Sequence, residues 1–185
     1  MKKAIIIIIL LSLSVMTSYN TAAKTVILDH RPGTDGNTQP PIYAEIYFSG
    51  GTINTVLAGQ DTIYQITNFT NNGESNNMLA NSTANQLVVE IAGVYEVTMT
   101  TSARSQLNND YEWGIYGAGG LNYYDECHVH RTTSTGGALG SATIDCFISL
   151  NVGDTIEVWV MRTDGLAVSK TLTTEHINLN ALRIG

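Results

Sequence analysis

The chain has 185 residues, 43% hydrophobic and only 14% charged, a balance that supports a packed core and excludes a disordered chain. Nine Lys and Arg against 16 Asp and Glu leave a formal net charge of -7. No basic cluster offsets that charge, so a phosphate backbone would be repelled and nucleic acid is excluded as a partner.

In chain order, the first segment is MKKAIIIIILLSLSVMTSYNTAAK. Lys2 and Lys3 precede an unbroken apolar run from Ala4 to Leu11, and Thr21-Ala22-Ala23 forms a small-x-small site. This is the pattern of a signal peptide over 1–23, cleaved after Ala23. The alternative is an uncleaved anchor, but the run from Ala4 to Met16 falls short of the about 20 residues that a spanning helix needs. No Cys follows the run, so a lipoprotein anchor is unsupported, and no stable membrane span is expected in the mature chain. Residues 24–41 hold all three prolines and read as a linker or N-terminal arm, with Thr25–Leu28 as a candidate edge strand.

From Ile42 onward the chain is a series of short β-like runs with no useful helical periodicity. The expected strands are Tyr43–Phe48, Thr52–Val56, Thr62–Ile66, Gln86–Ile91, Gly93–Ser102, Tyr111–Tyr116, Cys127–Thr132, Ala142–Leu150, Thr155–Arg162, Val168–Thr173 and Ile177–Ile184. Turn signals such as Ser49-Gly50-Gly51, Gly117-Ala118-Gly119-Gly120 and Asn151-Val152-Gly153-Asp154 separate them. Many short strands without helices predict an all-β sandwich or barrel over 42–185. No repeat of fixed period supports a propeller or solenoid.

Period-two alternation assigns faces. Ala142, Ile144, Cys146, Ile148 and Leu150 share one face; Phe147 stands on the polar one. Ile156, Val158 and Val160 go inward, with Glu157 and Trp159 outward. Tyr95, Val97 and Met99 alternate with Val94, Glu96 and Thr98. Outside a reducing cytosol Cys127 and Cys146 form an obvious pair, two buried free thiols being the alternative. If Cys127 points inward to meet Cys146, Val129 is inward too, and His128 and His130 share the outer face.

Three segments together resemble the complement component 1q and tumour necrosis factor superfamily. AGVYEVTMTTS (92–102) resembles its Gly-x-Tyr strand, ISLNVGDTIEVWV (148–160) its Leu-x-x-Gly-Asp turn, and INLNALRIG (177–185) its closing strand. Their order and spacing fit residues 43–185. The resemblance implies a two-sheet jelly-roll sandwich of about ten antiparallel strands, assembled as a homotrimer that serves as a binding head. No collagen-like stalk precedes the domain, and 66–85, rich in Asn, Ser and Thr, has no counterpart in the pattern.

Candidate chemistry is sparse. His128 and His130 could offer two imidazoles, but two ligands do not make a metal site, and Asp125 and Glu126 add only loop oxygens. Asp29, Asp35 and Asn37 lack the spacing of a calcium loop. Asp154 reads as a turn residue. His30 falls in the linker and His176 before the last strand. No nucleophile elbow, zinc-protease or phosphate-cradling motif is present, so no catalytic residue, metal or cofactor is expected. A polysaccharide-acting enzyme is the weakest alternative. Asn68-Phe69-Thr70 and Asn81-Ser82-Thr83 are glycosylation sequons, meaningful only in a eukaryote.

The aromatics carry more. Nine Tyr and two Trp accompany only three Phe. Trp113, Tyr116, Tyr123, Tyr124 and Trp159 are candidate ligand-binding residues, because their flat faces and polar edges suit a sugar or a protein surface; covering the core is the competing role. Phe147 and Val94, outward on their strands, are the candidate oligomer interface. The expectation is an exported, non-catalytic homotrimer that recognises an unidentified surface protein or glycan through loops 66–85, 117–126 and 163–176. The alternatives are a monomeric carbohydrate-binding jelly roll and a virion or appendage component.

Overall fold

The computed structural model describes residues 40–185 apart from 68, 106–108, 134–138 and 166–167. The signal peptide, the strand at Thr25–Leu28, and His30, Asp29, Asp35 and Asn37 lie outside these residues, as does Asn68. Among them run twelve strands: β1 (Tyr43–Phe48), β2 (Ile53–Leu57), β3 (Tyr64–Gln65), β4 (Asn71–Asn76), β5 (Met78–Asn81), β6 (Gln86–Val89), β7 (Gly93–Ser105), β8 (Asp110–Gly117), β9 (Asn122–Thr132), β10 (Gly140–Leu150), β11 (Thr155–Arg162) and β12 (Lys170–Arg183). No helix among the described residues is long and apolar enough to cross a membrane.

Two antiparallel sheets result. The first has the order β10-β7-β12-β1-β4, with β2 also on β12; the second has the order β5-β6-β11-β8-β9, with β3 also on β11. β1 and β2 lie one after the other along β12, pairing with Ile177–Leu182 and with Lys170–Thr174 respectively. From β6 to β12 the chain crosses between sheets repeatedly, which is the winding of a jelly roll.

The core lies between the sheets, where the alternating positions converge. Tyr95, Val97 and Met99 of β7 and Ile144, Cys146 and Ile148 of β10 meet Tyr111, Trp113 and Ile115 of β8 and Ile156, Val158 and Val160 of β11. Cys127 and Cys146 are disulfide-bonded with Cα atoms 5.4 Å apart. Because β9 and β10 belong to different sheets, the bond staples one layer to the other instead of closing a hairpin.

Four expectations change. The segment 66–85 is not a loop: it contains β4 and β5, and β5 forms a hairpin with β6. Its Asn and Ser content hid β4, which pairs with β1 through backbone amides and buries no side chain, and β5, which buries only Met78 and Ala80. The loop 117–126 shrinks to a tight turn, since β9 already starts at Asn122. Val168–Thr173 and Ile177–Ile184 are parts of one strand, β12, interrupted by a bulge between Thr174 and His176, so His176 sits inside that strand. The loop 163–176 shortens accordingly. It is tied down by Arg162, whose buried guanidinium bonds Asp164 at 2.6 Å and the Val168 carbonyl.

Candidate functional site

Tyr116, Tyr123 and Trp159 come together on the solvent side of the β11-β8-β9 sheet, and a bulge decides their arrangement. Gly114 pairs with His128 and Tyr116 pairs with Tyr123, so Ile115 alone spans four residues of β9, Tyr124 to Cys127. An odd excess of residues reverses the side-chain parity of β9. Tyr123 therefore shares the outer face with His128 and His130, while Tyr124 turns in against the core. The His128 ring closes the bulge, its Nδ1 lying 2.7 Å from the Asp125 carbonyl oxygen.

The rings form a continuous row. Trp159 lies 5.9 Å from Tyr116, Tyr116 4.8 Å from Tyr123, Tyr123 6.0 Å from His128, and His128 5.6 Å from His130, all between centroids. Gly114 makes the row possible: a Cβ there would stand 2.8 Å from the Tyr116 ring and 3.1 Å from the Tyr123 ring. Both rings approach the bare backbone of β8 at Gly114, inclined to each other by 40°.

Two carboxylates anchor the row, and neither stands out in the sequence. Glu112 accepts the Tyr123 hydroxyl at 3.0 Å and pairs with His130 Nε2 at 3.3 Å. Glu157, 2% exposed, accepts bonds from the Gly119 amide, the Thr155 hydroxyl, the Trp159 indole and the Gln65 amide. The only sequence signal was an acidic residue between aromatics in a strand, as in Tyr111-Glu112-Trp113. Burial, then the hydrogen bond and charge of Glu112, push the Tyr123 phenol well above its usual pKa of 10.0. Burial raises Tyr116 and Tyr124 as well, helped by Glu112 and by Asp154 respectively.

The five aromatic candidates thus separate. Trp113 is not a surface residue: it is 2% exposed and packs in the core beside Tyr111, because inward parity on β8 falls on the odd positions. Tyr124 is half-buried, and Tyr116, at 8%, presents little beyond a ring edge. Trp159 is on the outer face as alternation requires, but its indole packs against Gly120 and its N–H is held by Glu157, so it braces the β8–β9 turn. Tyr123, at 38%, is the exposed aromatic of the group. Past His130 the same face opens into a depression of about 260 Å³ lined by Asp110, His130, Arg131, Thr132 and Thr163.

On the other sheet, Phe147 is 58% exposed and Val94 36%, both pointing to solvent. Phe147 is paired with Glu96, Glu96 with Leu182, and Leu182 with Tyr43 across β10, β7, β12 and β1. Ile184, 53% exposed, continues beside Val94, to whose carbonyl its amide bonds at 2.8 Å. This end of the face exposes Phe147, Val94 and Ile184 among Glu96, Asp145 and Ser149; farther along it is polar, with Thr100, Ser102, Thr143 and Asn178 in a shallow depression of about 410 Å³.

Among the described residues no group of three or more His, Cys, Asp or Glu converges to hold a metal ion. Asp154 behaves as a turn residue, accepting the Asn151 amide at 2.7 Å. Asn81 caps the β5–β6 turn by accepting the Ala84 amide at 3.0 Å.

No family model and no curated protein matches the chain. Solved structures do. The Eiger TNF of S. frugiperda aligns with a TM-score of 0.57 at 12% identity over 80% of this chain and 94% of that one. Murine APRIL aligns at 0.50 and 12% identity over 78% and 100%. The chain has the tumour necrosis factor-like jelly-roll fold. The globular domain of zebrafish complement 1qA also aligns, at 0.48 and 15% identity over 78% and 98%. Within the TNF-like fold, the ring row occupies the solvent side of one sheet and Phe147 that of the other.

Proposed function

We propose that the chain is an exported, non-catalytic binding module that works as a homotrimer and recognises a surface ligand. The observation that carries the reading is the outward exposure of three large apolar side chains, Phe147, Val94 and Ile184, at one end of an otherwise polar sheet face. Large apolar side chains exposed together at one end of a face suit a contact surface. Phe147 lies on β10, an edge strand, so it can reach the face of a neighbouring copy. That is a head-to-tail contact, which closes into a ring. The fold shared with Eiger TNF and APRIL, together with the superfamily resemblance of the three sequence segments, supports three as the number of copies.

Export is supported by the signal-peptide pattern of 1–23 and by the inter-sheet disulfide, which suits an oxidising compartment. The absence of catalysis is supported by the use of the buried carboxylates: the bonds that Glu112 and Glu157 make hold side chains and a turn in place. Three binding faces on one particle would strengthen attachment to a repetitive surface without any new contact.

The test is the absolute mass of the exported chain in solution by light scattering. A mass near three chains that falls to one in Phe147→Asp supports the reading. A monomeric wild-type chain overturns the trimer.

A further inference from the structure

The two outward faces differ in chemistry, and the difference identifies a ligand. The face around Phe147 exposes large aliphatic and aromatic side chains, Phe147, Val94 and Ile184, of the kind that a protein contact desolvates. The β11-β8-β9 face differs. Its exposed members are Tyr123, His128 and His130, flat rings with polar edges, set around the Glu112 carboxylate and continuing into the depression of Asp110, Arg131, Thr132 and Thr163. A sugar ring has the complementary construction: one apolar C–H face and a rim of hydroxyls. It calls for a flat aromatic beside planar hydrogen-bonding groups.

The face is also pre-organised. The Tyr123 phenol stays protonated and fixed to Glu112, His130 is held by the same carboxylate, and Tyr123 rests on Tyr116 over Gly114. Little rotamer freedom remains for a ligand to freeze. Charge narrows the class further. Glu112 and Asp110 lie on the face, exposed Asp125 and Glu126 lie in the adjoining bulge, and the chain carries a net charge of -7. Within the depression one cation, Arg131, stands beside one carboxylate, Asp110, whose Oδ1 accepts the Thr132 hydroxyl at 2.6 Å. Sulphated or sialylated chains would be repelled.

We propose that Tyr123, His128 and His130, with the depression beyond them, bind an uncharged glycan, Tyr123 stacking on a sugar ring and His130, Asp110 and Arg131 taking its hydroxyls. This rests on the reading of the chain as a binding module and names its ligand class and its face. The face lies on the opposite sheet from Phe147.

The test titrates the exported chain by calorimetry with short uncharged oligosaccharides of glucose, mannose, galactose and N-acetylglucosamine. A sulphated oligosaccharide and a basic peptide serve as comparators. At least one uncharged oligosaccharide should bind. Tyr123→Ala and His130→Ala should each weaken it about tenfold or more, whereas Tyr123→Phe, which keeps the ring, should stay within a few-fold. Binding of none of the uncharged sugars, binding indifferent to Tyr123→Ala, or binding of the sulphated chain or the peptide alone overturns the proposal. Light scattering on the same samples separates the two readings. A trimer that binds no uncharged sugar loses only this inference, and a monomer that binds one through Tyr123 loses only the trimer.

Discussion

The Trp159 indole donates to the carboxylate of Glu157, two residues earlier on the same strand, at 2.9 Å. The same carboxylate takes the Gly119 amide at 3.0 Å, so one buried group fixes both the indole and the turn between β8 and β9. Glu157→Ala would strand several buried donors. It should lower stability by about 2–4 kcal/mol, measured by urea unfolding, and Glu157→Gln should cost less because it keeps an acceptor. An Ala variant as stable as the parent would show that water replaces these bonds.

The Cys127–Cys146 bond closes a loop of 19 residues between the two sheets. In the chain-entropy account, removing such a cross-link costs about 3 kcal/mol. The Cys127→Ala/Cys146→Ala variant should therefore unfold at a lower urea concentration. Its m-value should rise, as the uncrosslinked unfolded chain exposes more surface. An unchanged midpoint would mean that core packing alone holds the layers together.

Gly117 and Gly153 are required for different reasons. A Cβ at Gly117 would sit 2.6 Å from the Thr155 carbonyl oxygen, a backbone atom that cannot swing away, whereas Gly153 has φ +90° and open space around it. Gly153→Ala should cost about 1 kcal/mol of backbone strain. Gly117→Ala should cost more, because it forces β8 and β11 apart where they meet. Reversal of that order in thermal melts would contradict the packing described for the turn.

Tyr95, Tyr116, Tyr123 and Tyr124 all ionise above the usual phenol value of 10.0 in the folded chain, chiefly through burial. Between that value and the raised ones, the unfolded chain has lost protons that the folded chain keeps. Stability is then fully present below pH 10 and falls as pH rises above it. Urea midpoints should be flat with respect to these groups up to pH 10 and decline beyond. Tyr123→Phe should make the decline shallower, while a steeper decline would assign the effect elsewhere.

Much of the fold was legible because burial writes a period of two into a strand. Ala142 to Leu150 alternate as expected, Thr155–Arg162 matches β11 residue for residue, and Cys127 and Cys146, the expected pair, are bonded and not free thiols. Asn71–Asn76 was illegible: β4 is an edge strand whose polar residues carry no apolar pattern, and its identity as a strand lies in its backbone pairing with β1. The candidate site was half legible. Residue type pointed to the Tyr and Trp of β8, β9 and β11, and tertiary structure then divided them, burying Trp113 and exposing Tyr123.

The sequence by itself determined the all-β class, most strand positions, the inward faces, the disulfide partners and the outward place of Phe147. Each of these follows from local pattern or from a pairing with one solution. Only the tertiary structure decided that Tyr123 shares a face with His128 and His130, that Glu112 and Glu157 anchor that face, and that the disulfide joins two layers. A bulge adds residues on one strand without any mark in the hydrophobic pattern, so its parity reversal is visible only once β9 is paired with β8. The Glu157 carboxylate takes partners from β3, from the β8–β9 turn and from its own strand, and no spacing along one stretch encodes that meeting.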